Sequence, residues 1–162
     1  MSLSTDDLLS RVAKLEALNT HLTFRISRMA KLLEVEGAQR LADSGVNLTA
    51  YRMMLVIQVF EEVSVSDLAR IMLIDRAQVS RAATDMIDRG LLEARADRIS
   101  KRKKLLALTH QGGVVYAELR ARFDEREAAL KEAVGDNLDA LWAGVNGISE
   151  WLERADAEAP EP

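Results

Sequence analysis

Apolar residues recur at steps of three and four along the N-terminal part of the chain. Leu8, Leu9, Val12, Leu15, Leu18, Leu22, Ile26, Met29 and Leu33 fall on one helical face. No Gly or Pro intervenes before Gly37, so the pattern predicts one long helix over residues 5–36, capped by Ser4 or Thr5. The stripe is longer than a small domain needs for itself and implies a partner helix. After a linker from Gly37 to Asn47, Thr49 is placed to cap a helix from Ala50 to Phe60 that is apolar nearly all round and therefore central. Glu61 and Glu62 make a polar break. Ser64 then opens a third helix, with Asp67 in the capping-box position and Leu68, Ala69 and Met72 inward.

Asp75 is the expected cap of a fourth helix, with Gln78 three residues on, and Gly90 is its expected left-handed end. There the period changes. Leu92, Ala94 and Ala96 alternate with Glu93, Arg95 and Asp97, and a second strand, Lys104 to Leu108, follows a basic connector; together they predict a β-hairpin. Thr109 is expected to cap a helix from about Val114 to Val134, carrying Val115, Tyr116, Leu119, Phe123 and Leu130. The last helix sets Leu138, Leu141, Val145, Ile148 and Leu152 at steps of three and four, a coiled-coil-like seam. The closing residues 156–162 are acidic and Pro-containing and read as a frayed tail. The fold class expected is mainly α with a small β-hairpin: a helix-turn-helix with a wing over residues 47–112, flanked by an N-terminal helix (5–36) and C-terminal helices (113–155), in a single chain without internal repeats.

Hydrophobic residues make up 48% and charged residues 30% of the 162, so a core can form without covalent staples. There is no cysteine, which removes disulfides, thiolate metal sites and thiol redox sensing and fits a reducing compartment. No apolar run is long enough to cross a bilayer, and the N-terminus lacks a signal-peptide pattern. A cytoplasmic protein with no membrane association is expected.

The net charge of −4 argues at first against a polyanionic partner. The charges are segregated, however. Residues 95–104 read RADRISKRKK, six basic residues and one acid, while acid collects at Asp6 and Asp7 and from Asp124 to Glu161. The helix from Asp75 carries a stripe of Val79, Ala83, Met86 and Ile87, which leaves Arg76, Ala77, Gln78, Ser80, Arg81 and Thr84 to face away. Arg suits guanine, Gln suits adenine, Ser and Thr reach base or phosphate, and a small Ala can meet a thymine methyl. The wing cations Arg95, Arg98, Lys101, Arg102 and Lys103 suit phosphates or a minor groove. Each feature also has a plainer reading: a solvated helix face for RAQVSR, and edge protection by cations for the wing. Their adjacency favours duplex DNA.

These stretches resemble the multiple-antibiotic-resistance-regulator (MarR) family of winged-helix regulators. The matching segments are LTAYRMML, VSVSDLAR, IDRAQVSRAATDMIDRGLL and a wing ending LLALTHQG, covering Asn47 to Gly112. The resemblance implies a homodimer whose terminal helices interlock, two winged domains reading a palindrome, and small aromatic or phenolic ligands that weaken DNA binding. One departure is visible. The family wing reads Asp-Pro-x-Asp-Arg-Arg, and here Asp97 and Arg102 match while Arg98, Ser100 and Lys101 replace the proline, the second acid and the first arginine. Arg102 thus lacks the acid that fixes it in the family.

The seams of the first and last helices (Leu8, Val12, Leu15; Leu138, Leu141, Val145, Ile148, Leu152) are expected to dimerise, the alternative being packing within one monomer. A two-fold dimer would set two recognition helices about 10 base pairs apart on a palindromic operator. Occlusion of a promoter makes repression the simpler outcome. For an effector, His21, Arg25, Tyr51, Met54 and Phe60 are candidates: Arg25 can pair with a carboxylate and His21 can bond a hydroxyl or carbonyl, though each also reads as an ordinary core or surface residue. Two separated histidines, His21 and His110, without a phosphate loop, HExxH motif or carboxylate pair, point to no catalytic residues, no metal and no cofactor. A winged helix serving protein–protein contact alone would keep this fold but would not need the basic tip or the Arg/Gln/Ser face.

Overall fold

The computed structural model describes residues 14–96 and 104–158. Residues 14–18 are helical; then come α1 (Leu22–Arg40), α2 (Leu48–Phe60), β1 (Val63–Ser64), α3 (Val65–Met72), α4 (Arg76–Asp88), β2 (Leu92–Ala96), β3 (Lys104–Leu108), α5 (His110–Val134), a 3-10 turn (Gly135–Asn137) and α6 (Leu138–Ala157). The fold class is the expected one, mainly helical with a small antiparallel sheet. The chain divides into two compact units, Met1–Leu119 and Arg120–Pro162.

In the first unit, Met53, Met54 and Ile57 of α2 are buried together with Leu68, Val79, Met86, Leu92 and Leu106. Helices α3 and α4 pack on each other and on α2, and β3 lies against α2 as well. Tyr116 closes this core by stacking on Tyr51, ring centroids 6.2 Å apart and planes 21° from parallel. The sheet order is β1-β3-β2, all antiparallel, with Leu92 opposite Leu108 and Ala96 opposite Lys104. Along β2 burial fades from Leu92 through Glu93 to exposed Ala94, Arg95 and Ala96, so the hairpin leaves the body as it approaches its tip. The second unit holds the latter part of α5, the 3-10 turn and α6, and there Arg126 lies over the Phe123 ring at 5.6 Å.

Four local expectations are corrected. The first helix is not continuous over residues 5–36; residues 1–13 lie outside the described residues, and the helix is interrupted at Asn19 and Thr20 before restarting at Leu22. The Thr20 hydroxyl donates to the Ala17 carbonyl (2.7 Å), and the amides of Thr20 and His21 bond three residues back, so short polar side chains compete with the helical ladder. Nor does α1 stop before Gly37, which is buried within it. The cap of α2 is Asn47, whose Oδ1 accepts the Ala50 amide at 2.9 Å, rather than Thr49. A two-residue strand, Val63–Ser64, pairs with β3 where only a polar break was expected.

The fourth correction concerns α5, which begins at His110 rather than near Val114. Thr109 caps it by accepting the Gly112 amide at 2.9 Å, and the same hydroxyl donates to the Gly90 carbonyl at 2.6 Å. Gly112 and Gly113, which precede the expected start, are in the first turn. A Cβ on Gly112 would sit 2.0 Å from the Leu91 carbonyl oxygen, whereas one on Gly113 would meet nothing within 4 Å. This close approach seats α5 on the end of α4, and only glycine allows it.

The two glycines should therefore respond in opposite directions in a denaturant titration. Gly112→Ala should lower stability by about 2–3 kcal/mol, as overpacking against a fixed carbonyl does. Gly113→Ala should raise it by about 0.5–1 kcal/mol, because a helical glycine is replaced without a clash. Equal effects from both would show that the Leu91–Gly112 contact is not tight.

Candidate nucleic-acid interface

The helix-turn-helix is made by local chemistry at both of its turns. Ser64 opens α3, its Oγ accepting the Asp67 amide (3.2 Å) and donating to Asp67 Oδ2 (2.6 Å). At the other end Leu73 takes a left-handed conformation, φ 52°, and the Ile74 amide reaches the Ala69 carbonyl at 3.1 Å, which turns the chain sharply. Asp75 Oδ1 then accepts the Gln78 amide at 3.0 Å and starts α4. At the end of α4, Gly90 is left-handed at φ +70°, its amide bonding Ile87 O (2.9 Å) while the Leu91 amide bonds Met86 O (2.8 Å). Both ends of the helix are thus fixed as the sequence predicts.

Val79, Ala83 and Met86 of α4 are buried; Ile87, expected with them, is more than a third exposed because it lies at the edge of the stripe. Arg76, Ala77, Gln78, Ser80, Arg81 and Thr84 are all exposed. The Thr84 hydroxyl donates to the Ser80 carbonyl at 3.0 Å. Among the described residues Arg76 and Arg81 make no ion pair, so their guanidinium donors remain available at the surface. The arrangement offers cations, an amide and hydroxyls on one convex helix face.

Of the wing cations, Arg98, Lys101, Arg102 and Lys103 lie outside the described residues. Arg95 is described, and it is engaged. Its Nε donates to Glu93 at 3.0 Å and its terminal nitrogen donates to Glu62 at 3.0 Å. The Glu93 hydrogen bond, with that of Glu62 second, holds its pKa above the ordinary arginine value. Glu62 is brought there by a tight turn in which Glu61 sits at φ 65° and the Glu62 amide bonds the Phe60 carbonyl at 2.8 Å. Arg95 therefore ties the root of the wing to the turn after α2. Sequence reading missed this contact, since 33 residues separate the partners and neither carries a local signal.

The five effector candidates do not form one site. His21 and Arg25 are exposed on the α1 side, Phe60 is exposed at the end of α2, Met54 is wholly buried, and Tyr51 is buried in its stack with Tyr116. Arg25 instead lines a groove of about 610 Å³ with Asn19, Ile26, Arg28, Met29 and Leu32; Ile26 and Met29 belong to the apolar stripe read from the sequence, whereas Asn19, Arg28 and Leu32 were not singled out. Of the seam residues, Leu8 and Val12 lie outside the described residues. Leu15, Leu141, Val145, Ile148 and Leu152 are exposed and Leu138 is half-buried. Trp142 and Trp151 of α6 are exposed as well; they too fall at steps of three or four, from Leu138 and Ile148, and sequence reading passed over them for the adjacent Leu141 and Leu152. Among the described residues no cluster of three or more metal-ligating side chains occurs, and no helix is long and apolar enough to cross a membrane.

Comparison with known proteins agrees with this geometry. The model of the MarR family matches residues 44–103. No curated protein sequence matches the chain. Among solved structures, a MarR/EmrR family transcriptional regulator from Acinetobacter sp. ADP1 is similar with a TM-score of 0.77 and 22% identity, over 85% of this chain and 98% of that one. CouR from Rhodococcus jostii RHA1 bound to p-coumaroyl-CoA gives 0.71 and 21% over 90% and 98%. The transcriptional repressor CouR bound to a 23-mer DNA duplex gives 0.74 and 21% over 82% and 94%. Residues 44–103 thus match the MarR family model, and the chain has the fold of these solved transcriptional regulators.

Proposed function

We propose that this chain is a homodimeric transcription regulator that reads a palindromic operator with α4 and its wing, acting as a repressor that a small aromatic-acid or phenolic ligand releases. The observation that carries the reading is α4 itself. Its apolar face of Val79, Ala83 and Met86 is buried, both ends are capped, and its six outward residues are exposed with two arginines unengaged among the described residues. A helix held this way can enter a major groove without reorganising. The similar fold of a repressor bound to duplex DNA supports this reading.

Self-association is supported by exposed apolar surface. Leu141, Trp142, Val145, Ile148, Trp151 and Leu152 are each more than a third exposed on one helix, an area that monomeric proteins rarely leave open. For the ligand, Arg25 and Arg28 beside Ile26, Met29 and Leu32 suit an anionic head on an apolar body. The similar fold of a regulator bound to p-coumaroyl-CoA supports that class.

Affinity for a duplex selected from a random-sequence pool should fall steeply with salt, with a log–log slope of about −0.9 per phosphate contacted. Arg81→Ala should relax base preference by about 1–3 kcal/mol. The double change Arg102→Ala with Lys103→Ala should weaken all sequences alike and flatten the slope. Salt-insensitive or absent binding by the unliganded protein would overturn the reading.

Light scattering at micromolar concentration should give a dimer, and Ile148→Asp should shift it toward monomer while leaving helicity by circular dichroism intact. A monomeric parent protein would remove the palindrome from the proposal.

A further inference from the structure

A concavity of about 460 Å³ opens beside the outward face of α4. The turn before α2 contributes Gly45, Asn47 and Thr49, and α4 contributes Gln78, Arg81 and Arg89. Ala50 and Ala82 bring only methyl groups to the lining, whose side chains are otherwise mostly polar or charged, which favours a polar or charged ligand. The space also shares Gln78 and Arg81 with the face proposed to read bases, so a duplex lying on that face brings its backbone across this concavity. Resting on the DNA-binding reading, we propose that it seats a DNA backbone phosphate, with Arg89 as its principal cation.

Arg89 is placed for this by three constraints. It is the C-terminal cap of α4, where the helix dipole favours a cation. Its guanidinium lies against Gly45, where even a Cβ would be only 3.5 Å from the terminal nitrogen; Gly45 holds the left-handed φ +68°. Among the described residues its carboxylate partner is Asp85, at a long 3.3 Å, and Asp85 also lines the concavity. That pair is open to solvent on both sides, 38% and 62% exposed, so it is screened and weak. A phosphate diester presents two charged oxygens in the geometry an arginine fork bonds best, and it displaces such a carboxylate. Thr49 adds a neutral donor, and Arg81 stands at the border between the seat and the base-reading face.

Asp85 then has a definite role. With Arg81 and Arg89 it leaves the seat a single net positive charge, and it opposes any phosphate whatever the sequence. It lowers affinity uniformly, which holds non-specific binding down while base contacts decide between sites.

The test compares Arg89→Ala, Arg89→Lys and Asp85→Ala with the parent dimer by fluorescence anisotropy, on a selected duplex and on a mixed-sequence duplex across a salt series. Arg89→Ala should weaken both duplexes by the same factor, about tenfold, and flatten the salt slope by about one unit per protomer. Arg89→Lys, which keeps the charge but loses the fork, should fall between. Asp85→Ala should tighten both duplexes with base preference unchanged. Parental affinity and slope in Arg89→Ala, or loss confined to the selected duplex, would overturn the seat while leaving the DNA-binding reading intact. Absence of DNA binding by the parent protein would instead sink that reading, and the seat with it. Should Arg89→Ala fail to fold by circular dichroism, Asp85→Ala decides: no gain in affinity overturns the proposal. Inorganic phosphate should compete no better than chloride at equal ionic strength; selective competition would assign the seat to free phosphate and overturn its assignment to DNA.

Discussion

Everything at the candidate interface depends on burying one narrow face of α4 and no more. Val79, Ala83 and Met86 supply that face, and complete burial of a Val or Met side chain contributes about 1.5–3 kcal/mol. The opposite face bears no apolar side chain larger than Ala77 and so has no reason to turn inward. The buried methionines of α2 form the other side of the contact, and an unbranched side chain fills irregular space between a helix pair and a sheet well. Asp75 at one end and Gly90 at the other stop the helix from extending or sliding. The stripe thus fixes which residues are presented, and the caps fix where they are presented.

Much of this was legible because its causes are local. Ser64 with Asp67, Asp75 with Gln78, and Gly90 each act within a few residues, and the alternation from Leu92 to Ala96 states its own period. What stayed hidden required knowing which distant groups meet. Glu62 and Arg95 read as unrelated charges until the turn at Glu61 and the hairpin register bring them together. The role of Gly112, the approach to the Leu91 carbonyl, is tertiary and has no local signal. Thr49 and Asn47 are both good caps, and the choice between them follows from the helix starting at Leu48. The break at Asn19 and Thr20 was masked by an apolar stripe that continues on both sides of it, since hydrophobic periodicity records the face and not the continuity of the backbone.

In the wing, one cation of the basic run has partners that the sequence did not suggest. Arg95 belongs to the basic run, yet at the root of the hairpin it faces Glu62 and Glu93 and holds the strand to the body. This is a division of labour that position along a hairpin imposes. Residues near the base of β2 still neighbour the core and its turns, while exposure grows toward the tip. A cation tied to the body at the root stiffens the strand there, and a stiffer element costs less to order when anything binds it.

The negative net charge counts less against a polyanionic partner once several acids of the winged helix are followed to their partners. Asp67 serves Ser64 and Arg70, Asp75 caps α4, Asp85 meets Arg89, and Glu62 and Glu93 hold Arg95. Each of these carboxylates is engaged by a backbone amide or a neighbouring cation, which reduces the field it projects into solvent. Arg76 and Arg81 have no such ion pair among the described residues, so the outward face of α4 is positive although the chain as a whole is not. At physiological ionic strength charges more than about 8 Å apart are largely screened, so a docking phosphate responds to this local balance rather than to the net charge of −4. The sign of the total charge is therefore a weak guide to a partner, and the pairing of individual acids is a strong one.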